Sequence, residues 1–175
     1  MTKPFRSLRG SLRVSPSFSE NEMKTASDIP WLVKAQGYIG IKGATDLKIN
    51  PLVVKFFREA EEIPNDPDEP GIGITHVAWC AAFVGAVLKE CGLPHTGSLL
   101  ALSYVDYGQK LEEPLVGAIA TKKREGGGHV FFVSSFDKKF IYGLGGNQHD
   151  EVSIERFPRS QIVSYSWPSG VPLPA

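Results

Sequence analysis

With 175 residues, 42% of them apolar, the chain can bury one substantial core and is too short for a second. Its 19 Lys and Arg balance 19 Asp and Glu. No overall field therefore draws it toward nucleic acid or a membrane surface.

The first 27 residues are locally basic, with Lys3, Arg6, Arg9, Arg13 and Lys24 against Glu20 and Glu22. They contain no apolar run, so they read as neither a secretory signal nor a membrane anchor. A flexible basic arm over 1–27 and one domain over 28–175 are expected. Ser27 or Asp28 is placed to cap a first helix, with Pro30 in its first turn. Trp31, Leu32, Ala35, Tyr38 and Ile39 follow helical spacing up to a stop at Gly40. Asn50 and Pro51 open a second helix with Val53, Phe56, Phe57 and Ala60 on one face.

Glu61–Gly73 is acidic and rich in proline and glycine, which predicts a surface loop. Its Asp66 and Asp68 lack the full ligand set of a calcium loop. Cys80 then starts a helix of small residues, and Cys91 stands near its end. On one helix the two thiols are roughly 16 Å apart, so both should stay reduced. Ser98 predicts a short helix through Leu102, Tyr104 and Val105, ending near Gly108.

The period then changes to that of strands. Leu115–Ala120, His129–Phe136, Lys139–Leu144 and Ile162–Trp167 read as strands, with Val152–Ile154 a short one. Helices followed by an antiparallel meander define an α+β chain. A tight turn at Asp137-Lys138 would pair Phe136 with Lys139 and put His129 opposite Gly146. A bulge at Gly145-Gly146 would then bring Asn147 onto the face of His129.

Three residues in this order carry chemistry. A thiol in the first turn of a helix feels the positive end of the macrodipole, which lowers its pKa. An imidazole can take its proton, and a side-chain amide can fix the imidazole's tautomer. Cys80, His129 and Asn147 fit those roles. Taken singly, each has a plainer reading: a buried small residue, a strand polar residue and a turn residue. His76 lies four residues before Cys80, so His76, Cys80 and His129 form an alternative zinc triplet. His95 and His149 have no partner spacing, although His149 beside Asp150 is near enough to touch a substrate.

Four ordered motifs carry a resemblance: Trp79–Val84 (Trp-Cys-Ala-Ala-Phe-Val), Gly128–Val130 (Gly-His-Val), Gly145–Gln148 (Gly-Gly-Asn-Gln) and Tyr165–Pro168 (Tyr-Ser-Trp-Pro). From Pro30 to Pro168 the chain resembles the CHAP/NlpC-type papain-like cell-wall hydrolases, in particular a phage- and secretion-associated subgroup. The resemblance implies a papain-like fold with N-terminal helices packed on an antiparallel sheet. It implies Cys80 as nucleophile, His129 as general base and acid, and Asn147 as the residue that orients His129. Trp79, Tyr104, Gln148 and Trp167 would contact the substrate. That substrate would be peptidoglycan, cut in the stem peptide or at the N-acetylmuramoyl-L-alanine amide. Two positions depart from the pattern: Ala118, where members carry a polar residue, and Ile74, where papain has a glutamine before its cysteine.

The expected protein is thus a monomeric cysteine peptidase or amidase, an antibacterial lytic enzyme, with no metal or cofactor. It would bind no nucleic acid and insert into no membrane. With no signal segment visible, it would be made in the cytoplasm and reach the cell wall or periplasm by lysis, a phage particle or a secretion device. Such a route allows an immunity or delivery protein as partner. The competing class is a non-catalytic peptidoglycan- or partner-binding module on the same fold.

Overall fold

The computed structural model describes residues 28–45, 48–60 and 78–174. The basic arm 1–27, the Ser27 cap, the loop Glu61–Gly73 with Asp66 and Asp68, Ile74 and His76 lie outside the described residues.

Pro30 opens α1 (Pro30–Gln36), whose apolar stripe of Trp31, Leu32 and Ala35 is buried. The N-cap position falls on Ile29, which has no side-chain oxygen to cap with, and not on Asp28. The helix also stops earlier than expected, at Gly37. A two-stranded ribbon follows, β1 (Ala44–Thr45) and β2 (Lys48–Ile49). In α2 (Pro51–Glu59) the Asn50 carboxamide accepts from the Leu52 N–H at 2.9 Å, and Val53, Phe56 and Phe57 face inward, as the sequence predicts. The central helix α3 (Cys80–Glu90) is apolar all round and buried from Cys80 to Leu88. At its far end Glu90 accepts from Tyr38 Oη at 2.9 Å and pairs with Lys55 and Lys34, tying α1 and α2 to α3.

Past α3 comes a 3-10 helix, Ala101–Asp106. A six-stranded antiparallel sheet then completes the α+β chain, in the order β3-β8-β4-β5-β6-β7. Its strands are β3 (Gln109–Leu111), β4 (Ile119–Arg124), β5 (Gly127–Phe136), β6 (Phe140–Gln148), β7 (Glu151–Pro158) and β8 (Ile162–Trp167). The edge strand β3 has no apolar alternation and escapes a pattern search. The basic run Lys122-Lys123-Arg124 extends β4 beyond the expected Ala120, because β5 reaches back to pair with it at Gly127. Phe83 of α3 meets Phe132 of β5 edge-on, and Trp31 meets Trp167, so helices and sheet share one core.

The turn between β5 and β6 differs from the expected one. Asp137 Oδ1 accepts from the N–H groups of both Lys139 and Phe140, which makes Lys138 and Lys139 the turn residues and pairs Phe136 with Ile141. A bulge between Val133 and Ser135 then shifts the ladder by one.

Glycines of β6 let the sheet curl. The Phe131 ring of β5 lies across Gly143 to stack on Phe157 of β7, with ring centroids 4.6 Å apart. A Cβ on Gly143 would overlap that ring, and Phe131 is fully buried with nowhere to move. Gly143→Ala should therefore cost about 2–3 kcal/mol of unfolding free energy, read by chemical denaturation. Wild-type stability in that variant would contradict the packing described.

Candidate active site

Cys80 is the first residue of α3 and His129 the third residue of β5. The β5–β6 ladder ends at Phe132↔Leu144. Beyond it the Cys80 sulfur meets the backbone N–H of Val130, the residue after His129. The thiol and the imidazole are thus carried to the same end of β5. Cys80 is 1% and His129 4% exposed. Both cysteines are free thiols.

His129 is held by Gln148. Its Nε2 lies 2.9 Å from Gln148 Oε1, and its ring packs against Phe131 and Phe157. The Gln148 amide cannot turn over. Its Nε2 donates to the carbonyls of Gly143 (3.2 Å) and Ser153 (2.8 Å) and to Ser153 Oγ (3.2 Å). Those acceptors fix Nε2 outward and Oε1 toward the histidine. An oxygen there requires His129 Nε2 to carry the proton, so Nδ1 holds the free lone pair. Nδ1 is buried and has no hydrogen-bond partner, and it makes none with the Cys80 sulfur in this conformation.

Asn147 does not fill the orienting role. The β6–β7 register breaks between Gly145 and Gln148, one residue later than the bulge expected from sequence. Asn147 itself takes up the bulge with φ 57°, and the next residue, Gln148, is turned inward over Gly145. His149 (φ 51°) and Asp150 (φ 59°) are left-handed as well. Three such non-glycine residues in four positions store backbone strain that the surroundings must hold. Asp150 holds the end of this turn: Oδ1 accepts from Trp79 Nε1 and Oδ2 from the Ala44 N–H, each at 3.3 Å. Trp79 directly precedes Cys80, so one strained turn braces both the start of α3 and Gln148, the partner of His129. His149 itself pairs with Glu155 at 3.2 Å.

The aromatic residues expected to line a groove do not. Trp79, Tyr104 and Trp167 are all buried: Trp79 packs on Phe56 and Gly146, Tyr104 on Tyr107 and Trp167 on Trp31. Large rings at helix-to-sheet contacts close the core, as their apolar area dictates. Gln148 is also buried and serves His129. Lys122–Gly128, between the expected strands, is the end of β4, a turn at Glu125-Gly126 and the start of β5.

Electrostatics run against a resting ion pair. Burial pushes the Cys80 thiol above its ordinary value, outweighing the backbone N–H of Val130, the charge of Arg124 and the N–H groups of the helix start. Burial likewise lowers His129 to about 4, against the Gln148 hydrogen bond and with help from the charges of Arg124 and Lys122. The pair rests neutral. Because the unfolded imidazole titrates near 6.5, the unfolded state binds the extra proton between pH 6.5 and 4. Stability is then complete above pH 6.5 and falls as pH drops toward 4, by about 3 kcal/mol from this group. Denaturation of wild type and His129→Gln at pH 7 and pH 4 should show that loss in wild type alone. Equal losses would contradict a neutral buried His129.

No family model, no curated protein and no solved structure matches this chain. The site must be read from its own geometry. Among the described residues no group of three His, Cys, Asp or Glu side chains converges as a metal site would require. The alternative zinc triplet needs His76, which lies outside them. No described helix is long and apolar enough to cross a membrane.

Proposed function

We infer that this chain is a papain-like cysteine hydrolase of the CHAP/NlpC type that cuts an amide of peptidoglycan, as a stem-peptide endopeptidase or an N-acetylmuramoyl-L-alanine amidase. The observation that carries this reading is the locked Gln148 amide. It forces His129 to leave a free base at Nδ1, on the residue beside the Val130 N–H that meets the Cys80 sulfur. A purely structural histidine would be expected to use both ring nitrogens.

The chemistry follows from those atoms. As Sγ attacks the amide carbonyl, its proton passes to His129 Nδ1 and a tetrahedral oxyanion forms, with the Cys80 N–H at the helix start as one donor. His129⁺ then protonates the leaving amine and the C–N bond breaks, leaving a thioester. Water attacks the thioester with Nδ1 again as base, releasing a carboxylate and the thiol. Gln148 holds the ring throughout, and no resting thiolate is needed.

The near-complete burial of Cys80 and His129 favours a second reading, a non-catalytic peptidoglycan- or partner-binding module on the same fold. Alkylation by iodoacetamide separates the two. The hydrolase reading predicts that native Cys80 reacts faster than Cys91 at pH 7 and slows in His129→Gln. It also predicts a rate rising about tenfold per pH unit between 6 and 8, because the thiol titrates above that range. The module reading predicts Cys80 labelling limited by unfolding and indifferent to His129.

A further inference from the structure

We propose that Trp79 and Asp150 form a clamp that fixes the register of the β6–β7 turn, so that Gln148 rather than Asn147 faces His129. Both are positioning residues, each acting through Gln148. The effect on catalysis rests on the hydrolase reading, whereas the clamp itself can be followed on the His129 ring.

The turn is an unusual one for the residues that form it. Gln148 pairs with Glu151, leaving His149 (φ 51°) and Asp150 (φ 59°) as a two-residue hairpin turn. Positive φ at both central positions is the type I′ geometry, which asparagine and glycine ordinarily fill. Just before it, Gly146 and Asn147 together oppose the single residue Val152, which makes the bulge. A competing register lies one residue away. Without the bulge, Gly146 would pair with Val152 and Asn147 with Glu151, closed by a loop of Gln148, His149 and Asp150. Three-residue hairpin loops are common, and this slip would exchange the two carboxamides over His129. The observed register therefore needs a restraint outside the strand ladder.

One indole holds both ends of the bulged stretch. At the near end the backbone of Gly146 lies against Trp79, where a Cβ would be 2.7 Å from the ring. At the far end Trp79 Nε1 donates to Asp150 Oδ1 at 3.3 Å. The ring itself is buried and stacked on Phe56 of α2, so it cannot drift. Asp150 is secured a second way by the segment before α2. Its carbonyl accepts from the Gly43 N–H at 2.7 Å, and its Oδ2 from the Ala44 N–H at 3.3 Å. Position 43 has to be glycine for this approach, since a Cβ would overlap Asp150 Oδ1 and lie 2.9 Å from Trp79 Nε1. With Gly146 and Asp150 fixed on one ring, the residues between them span a set distance, and the bulge cannot migrate.

The test uses Asp150→Gly, which removes the carboxylate and supplies the residue a type I′ turn prefers, so the fold should keep its melting temperature. The first readout is the His129 Nε2 proton, followed by NMR on protein carrying isotope-labelled histidine. In wild type the Gln148 hydrogen bond should keep this proton visible and slow to exchange with water. In Asp150→Gly it should exchange about tenfold faster or more, and Asp150→Asn, which keeps an oxygen for the Trp79 N–H, should restore most of the protection. Trp79→Phe keeps a ring against Gly146 and loses the donor, so it should match Asp150→Gly. The two changes together should do no more than either alone. On peptidoglycan, Asp150→Gly should lower kcat about tenfold with KM unchanged, the mark of a misplaced base. Wild-type protection of the ring proton in Asp150→Gly, or equal loss of it in Asp150→Asn, would overturn the clamp. A ring proton that follows Asp150 in a protein whose wild type cuts nothing would sink the hydrolase reading and leave the clamp standing. An active wild type whose Asp150→Gly variant keeps both the proton and kcat would sink the clamp and leave the hydrolase.

Discussion

Cys80→Ala should abolish peptidoglycan hydrolysis, lowering kcat by at least about a thousandfold with no more than a small change in melting temperature. Every step of the proposed reaction forms or breaks a bond to Sγ. Removing a nucleophile of a triad leaves only binding and oxyanion stabilisation, which is why such losses are large and nearly independent of the other members. The structural cost is small, because an alanine fits in the buried place of the thiol at the start of α3. Release of soluble fragments from a purified sacculus suspension measures the rate, and thermal denaturation measures the fold. Retained hydrolysis in a folded Cys80→Ala protein would remove the mechanism.

Gln148→Ala should be the second most damaging substitution and Asn147→Ala a mild one. Gln148 makes four polar contacts, three of which fix its own amide and the fourth the imidazole. Its loss frees His129 to rotate or to take the wrong tautomer. A fall in kcat of about a hundredfold, with KM nearly unchanged, is the expected signature of a misoriented base. It also leaves the Gly143 and Ser153 carbonyls short of a donor, at a cost of about 1–3 kcal/mol. Asn147→Ala keeps the base and only adds strain at φ 57°, about 1 kcal/mol. The reverse order, Asn147 damaging and Gln148 tolerated, would show that the conformation described here is not the working one.

The contrast between those two neighbours shows how far the sequence could be read. Local signals were legible: Asn50-Pro51 as a helix start, Cys80 as the first residue of an apolar helix, Ile162–Trp167 as a strand. What failed depended on register. Two carboxamides stand in succession at the end of β6, Asn147 and Gln148, and a single bulge decides which one faces His129. One clue was present: asparagine tolerates the left-handed region far better than glutamine, so Asn147 is the natural residue to take up a bulge after two glycines. The turn at Asp137 moved for a similar reason, since its carboxylate captures two N–H groups and slides the turn by one residue. The ionisation of the site was hidden for a different reason. A helix start argues for a lowered thiol pKa, but the depth at which Cys80 is buried is a property of the whole packed molecule. The burial of Trp79, Tyr104 and Trp167 was equally out of reach, because an aromatic residue near a nucleophile looks the same in sequence whether it faces a groove or the core.

The most direct test of the proposed Cys80–His129–Gln148 hydrolase mechanism is mass spectrometry of the soluble products from purified peptidoglycan digested with wild type and with Cys80→Ala. The account predicts fragments from wild type alone, each gaining one water across an amide, with masses that name the bond cut. Fragments from both proteins, or from neither, would contradict it.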